Sequence, residues 1–513
     1  MMRSRLTNAP ARLFSTAVVS APKPAATRPS SDKGGGGGSG RDTLGRRLLS
    51  LTYAKRSAVI TINKWKEEGH TVRKYELNRI VKELRKFKRY KHALEICEWM
   101  KVQEDIVLQQ GDYAVHLDLI SKVRGMSSAE KFFEDLPDKN KNRHACTSLL
   151  HTYVQNNESS KAEALMQKMS ECGFLINTLP YNTMLSFYIS NGQLDKVPQL
   201  IQDLKMNTSP DIFTYNLILT ACLPQRDVET AEKTLLEIQK AEIEPDWVTY
   251  STLTSLYIKN SLPEKAAATV KEMEKRIARK NRPAYSSLIG LHAKLGNLDE
   301  ISRIWEKMKS SFVKMSDTEY ACMISSLLKH EKSEEAMNLY EEWKSVSTSG
   351  NPRIPNLFLA DYIKRDQMEE AENFYNKMVE SDIKPCYTTW EILTWGYLKQ
   401  KKSDKVLECF KKALGSVKKW IPEGRITKEV FRNLEEEGDI EAAEQLLVTI
   451  GKAGHLSTEI YNSLLRTYAS ANKMPLIIAE RMEKDKIEMN DETKKLIELT
   501  SKMCVSEVPT CIS

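Results

Sequence analysis

Cysteine is scarce in this chain and never arranged for metal. There are nine in 513 residues, no two in a C-x-x-C spacing, and the eight histidines form neither H-x-E nor H-E-x-x-H. A zinc site is therefore not expected. Zinc-dependent deamination needs H-x-E together with P-C-x-x-C. His330-Glu331, Pro385-Cys386 and the terminal Thr510-Cys511-Ile512-Ser513 do not supply it. The sequence also lacks a P-loop, a G-x-S-x-G elbow and a dinucleotide fingerprint. Its isolated His and Asp residues make no constellation, so no cofactor and no catalysis are expected. No apolar run approaches the ~20 residues that span a bilayer, and the chain reads as soluble. Cys97, Cys222 and Cys409 fall on apolar helical stripes and read as buried free thiols.

Acidic residues are missing from the start. Arg3, Arg5, Arg12, Lys23 and Arg28 precede the first of them, with Ser, Ala and Thr between. That composition marks residues 1–40 as a transit peptide and linker outside the fold. Arg12-Leu13-Phe14-Ser15 resembles a mitochondrial presequence site cut after Phe14, and Lys33–Gly40, with its glycine run Gly34–Gly38, reads as a flexible linker. A mitochondrial location is expected, with the plastid as the alternative.

Charge is uneven. The net +8 comprises +5 in residues 1–40 and +8 in 41–110, leaving −5 on the rest. Nucleic-acid affinity comes largely from neutralised phosphates, so the acidic body argues against a simple polyanion binder. Arg46–Lys91, with R-K-F-K-R-Y-K-H, is either a solvated helix face or a phosphate-contacting surface.

What the sequence does have is a period. Tyr181, Tyr215, Tyr250, Tyr285 and Tyr320 are separated by 34, 35, 35 and 35 residues. A fixed step of this size signals a stacked repeat array. In Trp247–Asn281, Tyr250, Leu253, Leu256 and Tyr257 lie on one face of a helix. Asn260 and Pro263 punctuate the chain, and Ala266, Ala267, Val270 and Met273 form the stripe of a second helix. Each repeat is thus a helical hairpin that needs its neighbours to bury both stripes. Gly192 and Gly296 mark the turn, where a positive φ is cheap for glycine. The Tyr rings read as core. The fold class is all-α, an α-solenoid of stacked hairpins.

The segments Y-N-T-M-L, T-Y-N-L-I-L, V-T-Y-S-T-L and I-Y-N-S-L-L, with repeats ending in S-P-D, E-P-D or K-P-C, resemble pentatricopeptide repeats of the P class. The tetratricopeptide opening W-x₂-L-G-x₂-Y is absent. The whole chain resembles plant mitochondrial proteins of this class. Residues 41–73 read as basic capping helices, 74–491 as an array of about twelve repeats, several degenerate, and 492–513 as a tail. Regular repeats are Arg143–Asn177, Thr178–Asp211, Ile212–Asp246, Trp247–Asn281 and Arg282–Ser316.

The resemblance implies binding of single-stranded RNA, one base per repeat, read by the residue after the Tyr and by the last residue of the repeat. The pairs are Thr147 with Asn177, Asn182 with Asp211, Asn216 with Asp246, and Ser251 with Asn281. The family's code reads them A, U, U, A. Leu179 and Val248 stand where the family sandwiches bases, whereas Phe213 and Pro283 depart from its preference. Farther on, Ser286 with Ser316, Ala321 with Asn351 and Glu391 with Ile421 break the pattern, Asn356 with Cys386 half fits, and Asn462 with Asp491 would read U. The competing reading of the Asn residues is helix N-terminal capping. Two functions remain: a non-catalytic organellar RNA-binding protein acting on transcript stability, splicing or translation, or a scaffold docked on the mitochondrial ribosome.

Overall fold

An isolated hairpin of this kind leaves an apolar stripe in water on each helix, so folding requires a neighbour. The computed structural model describes residues 42–51, 57–347, 350–416 and 424–503. The expected presequence with Arg12–Ser15, the expected glycine linker, Ile421 and residues 504–513 lie outside the described residues. Regular structure among the described residues is helical, with no strand. This is the expected all-α architecture.

The repeat Trp247–Asn281 shows how the sequence makes one hairpin. Its helices are Trp247–Lys259 and Pro263–Lys275, with Pro263 in the first turn of the second, where its missing N–H costs nothing. Tyr250, Leu253, Leu256 and Tyr257 are buried, as are Ala266, Val270 and Met273. Ala267 is exposed, which corrects the expected stripe. The buried set steps by four and three residues, and Ala267 lies about 100° away from Ala266 around the helix. The Tyr series is core: Tyr181, Tyr215, Tyr250, Tyr285 and Tyr320 are all buried.

The turn between the two helices needs a left-handed residue. Gly192 (φ +71°) and Gly296 (φ +80°) supply it, but Asn157, Arg226, Ser261, Glu331, Asp366 and Lys401 occupy the same kind of turn at φ between +54° and +63°. A non-glycine residue pays ~1–2 kcal/mol there. Packing of the hairpin, rather than local preference, imposes the turn.

The chain divides into two halves, ending and beginning at Asn281 and Arg282. In the N-terminal half, helices Leu44–Leu49 and Ala58–Glu67 pack on Lys74–Lys86 and Tyr90–Val102. Arg47 bridges Asp42 and Glu68, Arg89 donates to the Leu49 carbonyl at 2.6 Å, and Trp99 Nε1 donates to Asn63 at 2.9 Å. One core continues from Leu44 and Ile62 through Ile96 and Leu149 to Leu185 and Leu204. In the C-terminal half, Tyr340, Phe358 and Phe374 pack ring on ring at 5.3–5.4 Å. Asp491–Met503 is a helix against Thr458–Ser470, so the tail expected from residue 492 is corrected. Its Thr493 and Thr500 are buried, which anchors the segment.

A three-residue clamp recurs between successive hairpins within each half. A Glu on the second helix of one repeat takes a Tyr hydroxyl and a cation from the next. Glu163 accepts from Tyr188 (3.3 Å) and Lys196 (2.6 Å), and Glu232 from Tyr257 (3.3 Å) and Lys265 (2.6 Å). Glu372 accepts from Tyr397 (2.6 Å) and Lys405 (2.7 Å), and Glu444 from Tyr468 (2.9 Å) and Arg481 (2.8 Å). Each lysine also covers the Tyr ring, at 5.5, 5.8 and 5.0 Å from its centroid.

Candidate nucleic-acid interface

The last residue of a repeat sits at a helix start, so its side chain meets free backbone N–H groups. Asn142, Asn177, Asp211 and Asp246 each cap the following first helix. The fifth residue of the repeat is one turn inside its own helix. Asn182 and Asn216 therefore cap nothing, and the capping reading belongs to their partners instead.

The structure brings Asn182 and Asp211, and Asn216 and Asp246, into contact. Asn216 Nδ2 donates to Asp246 Oδ1 at 3.1 Å, and Asn182 Nδ2 to Asp211 Oδ1 at 3.5 Å. Both asparagines are buried. Thr147 spends its hydroxyl proton on the Arg143 carbonyl at 2.7 Å and makes no bond to Asn177, which is exposed and caps at 3.2 Å to Leu179 N–H. Ser251 is buried on its helix, and Asn281 closes the N-terminal half. Leu179 is 60% exposed, while Val248 is half-buried.

The Asp211 carboxyl is held ionised. Burial pushes the Asp211 carboxyl up, but bonds donated by Thr214 (backbone, then side chain), Thr178 and Asn182 outweigh it and leave it below the usual range. Asp246 uses Oδ1 for Thr249 and Asn216, and its Oδ2 is bonded to none of the described residues. One amide N–H beside one carboxylate oxygen complements an edge with an acceptor next to an N–H, as uracil presents.

Two later pairs differ from expectation. Asn462 bonds Asn490 (3.2 Å) and Glu492 (3.3 Å), not Asp491. The repeat is one residue shorter than a 34-residue count gives, and Asn490 is the cap, accepting from Thr493 N–H at 2.8 Å. Asn356 Nδ2 donates to Cys386 Sγ at 3.7 Å. Burial raises the Cys386 thiol, but bonds from Thr389, Thr388 and Asn356 bring it below its ordinary value.

A row of lysines was not anticipated. Lys259, Lys294, Lys329, Lys364 and Lys399 follow one another at 35-residue steps, each exposed in the last turn of a first helix. They are the thirteenth residues of their repeats. At 100° per residue, positions 2 and 13 fall within about 20° of one line. Lys399 is tied to Ile363 O (2.9 Å) and Asp366 (3.0 Å), whereas Lys329 and Lys364 make no hydrogen bond or ion pair among the described residues. Their spacing was legible, but averaging charge over the acidic body hid it.

The basic N-terminal stretch splits in two. Lys74 and Arg85 are committed to Asp112 (2.6 Å) and Asp118 (2.7 Å). Arg79, Lys82 and Lys86 instead form an exposed stripe with Tyr75, and Arg79 and Lys82 have no ion pair among the described residues. Among those residues, no group of three or more His, Cys, Asp or Glu could hold a metal ion, and no helix is long and apolar enough to cross a membrane.

Comparison with known proteins returns a consistent family. The PPR repeat family matches residues 210–259, and the PPR repeat matches 144–174, 180–207, 248–276, 283–311, 320–346 and 356–383. The chain is 62% identical to a mitochondrial pentatricopeptide repeat-containing protein of Arabidopsis thaliana, over 98% of this chain and 97% of that one. A second mitochondrial Arabidopsis relative is 42% identical over 39% of this chain and 49% of its own length. Among solved structures, PPR10 in complex with an 18-nucleotide psaJ RNA element aligns with 89% of this chain and 71% of its own, at 18% identity and a TM-score of 0.45. Yeast Rmd9p with a 16-nucleotide target RNA aligns over 81% and 77%, at 13% identity and a TM-score of 0.38.

Proposed function

The chain belongs to the pentatricopeptide repeat family, and on that premise we propose that it is a non-catalytic RNA-binding protein of plant mitochondria. It holds single-stranded RNA along the first helices of its repeats and acts on the stability, splicing or translation of particular transcripts. The observation that carries the reading is the pair of hydrogen-bonded clusters Asn182–Asp211 and Asn216–Asp246. They recur at adjacent repeats, each offering an amide donor beside an Asp oxygen that accepts. Thr147 with Asn177 and Ser251 with Asn281 flank them in sequence, giving A-U-U-A as the favoured tract. Leu179 and Val248 contact the faces of bases. The exposed lysines at the thirteenth positions neutralise phosphates, which sequence reading alone would not supply.

The test is crosslinking of the tagged native protein to organellar RNA, with sequencing of the bound fragments. A sharp footprint on a few transcripts, enriched in A-U-U-A, is expected. Replacing Asn182, Asn216 and Ser251 together by Ala abolishes selective binding to an AUUA oligonucleotide. Reads spread across ribosomal RNA, with the triple variant binding unchanged, would overturn the base-reading assignment.

A further inference from the structure

The third residue of a repeat belongs to none of the pairs above, yet it tracks them. Wherever the fifth residue of one repeat is Asn and its amide meets a cap, the third residue of the next repeat is Thr: Asn182 with Thr214, Asn216 with Thr249, Asn356 with Thr389, Asn462 with Thr493. Where the fifth residue is Thr147, Ser251, Ser286 or Ala321, the third residue that follows is Pro180, Ala284, Glu319 or Ile354.

The contacts repeat as well. The Thr hydroxyl donates to the Asn Oδ1 at 2.9, 2.7, 2.9 and 2.7 Å in the four clusters. All four threonines are fully buried. A carboxylate only accepts, so the Asn must turn Nδ2 toward Asp246, and its Oδ1 then requires a donor from the opposite side. Thr249 is that donor: its one hydroxyl proton also has Asp246 Oδ1 in reach at 3.0 Å, but that oxygen already accepts from Thr249 N–H and Asn216 Nδ2, whereas Asn216 Oδ1, at 2.7 Å, has no other donor among the described residues. The hydroxyl oxygen accepts in turn from Asp246 N–H at 3.3 Å. The amide cannot flip without placing its own oxygen against the carboxylate oxygen of Asp246.

One junction has the opposite polarity. Asn78 is also a fifth residue, but the third residue after it is Asp112, which cannot donate. There Asn78 Nδ2 donates to Asp112 Oδ1 at 3.0 Å. The third residue thus decides which end of the amide is held.

We infer that Thr214 and Thr249 are specificity-determining positioning residues, which lock the amides of Asn182 and Asn216 with N–H outward and thereby set the preference for a base edge that accepts beside its own N–H. The inference rests on the base-reading proposal. It differs from a packing role because it concerns discrimination between bases, not affinity.

The experiment uses the full-length protein and four-base RNA tracts differing only at the third position, AUUA and AUCA, in a common flank. Binding is measured for wild type, Thr249→Val, Thr249→Ser and Asn216→Ala, with thermal unfolding of each. Thr249→Val, which keeps shape and removes the donor, should lower the uracil-over-cytosine ratio by about threefold to tenfold, the scale of one net hydrogen bond. Thr249→Ser should keep the wild-type ratio. Loss of the ratio in Asn216→Ala with retention in a folded Thr249→Val overturns the inference while leaving base reading intact. An unchanged ratio in Asn216→Ala overturns both. Should Thr249→Val fail to fold, Thr214→Val with AUUA against ACUA gives the same reading at the preceding cluster.

Discussion

Glu444 receives both terminal nitrogens of Arg481, each at 2.8 Å, in a two-pronged bond that no other clamp of the series has. The other clamps use a lysine, which meets its Glu as a point charge. Burial pushes the Glu444 carboxyl up, but the bonds from Arg481 and Tyr468 outweigh it and hold it below the ordinary range. A depressed carboxyl contributes stability above its unfolded value near ~4.3, which is lost as pH falls through the folded value. Glu444→Gln should cost about 1–3 kcal/mol in urea unfolding, the scale of a charged bond to a group left wanting. Glu232→Gln should cost less than about 1 kcal/mol, because Lys265 is half exposed and solvent screens the pair.

Removal of the free lysines separates holding from reading. Lys329→Gln and Lys364→Gln should weaken RNA binding equally for matched and mismatched tracts. Each should reduce the slope of log K against log salt by about 0.7, as expected for one single-strand phosphate contact. Fluorescence anisotropy across a salt series measures both quantities. Lys399→Gln should change the slope less, since Asp366 already neutralises that ammonium.

Acid should loosen the N-terminal half through His116. Its ring is buried against Phe132 at 4.7 Å, with Nε2 lacking a hydrogen-bond partner among the described residues. Burial, then Lys101 and Arg124, lower its pKa to about 4. The unfolded chain takes up the proton near ~6.5 and the folded chain does not, so stability is intact above that pH and falls between about 6.5 and 4. The loss is on the order of 3 kcal/mol. His116→Phe should flatten the dependence in pH-resolved thermal unfolding.

Gly396 marks a close approach on its helix. A Cβ there would stand 2.7 Å from Met368 Sδ and 2.9 Å from Ile363 Cδ1. Gly396→Ala should destabilise the C-terminal half by about 1–3 kcal/mol through overpacking. Gly290→Ala meets nothing within 4 Å in its helix and should be neutral or slightly stabilising. Denaturant midpoints compare the two.

The hairpins were readable because Tyr250 and Leu253 repeat a spacing that only a helix can use, and because Pro263 and Gly192 punctuate them. The pairs Asn182–Asp211 and Asn216–Asp246 were readable too. What escaped is assembled from two repeats at once. Glu232 and Lys265 are ordinary surface residues, and Tyr257 an ordinary core ring, until stacking places them together. Asn490 was displaced by one position because the repeat it closes is short, and only the bond to Thr493 N–H fixes the register. The lysine row was lost in a net charge summed over faces that solvent and core keep apart.

Thr249 stands in one repeat and serves the asparagine of the repeat before it. The block that carries a complete Asn–Asp–Thr cluster is therefore Tyr215–Thr249, not Ile212–Asp246. Recombination that cuts between Asp246 and Trp247 joins Asn216 to a foreign third residue, and the transplanted module arrives with its amide unlatched. A cut after Thr249 transfers the lock with the key. For anyone exchanging modules of this array, or tracing how duplication built it, the heritable piece begins at the fourth residue of a repeat.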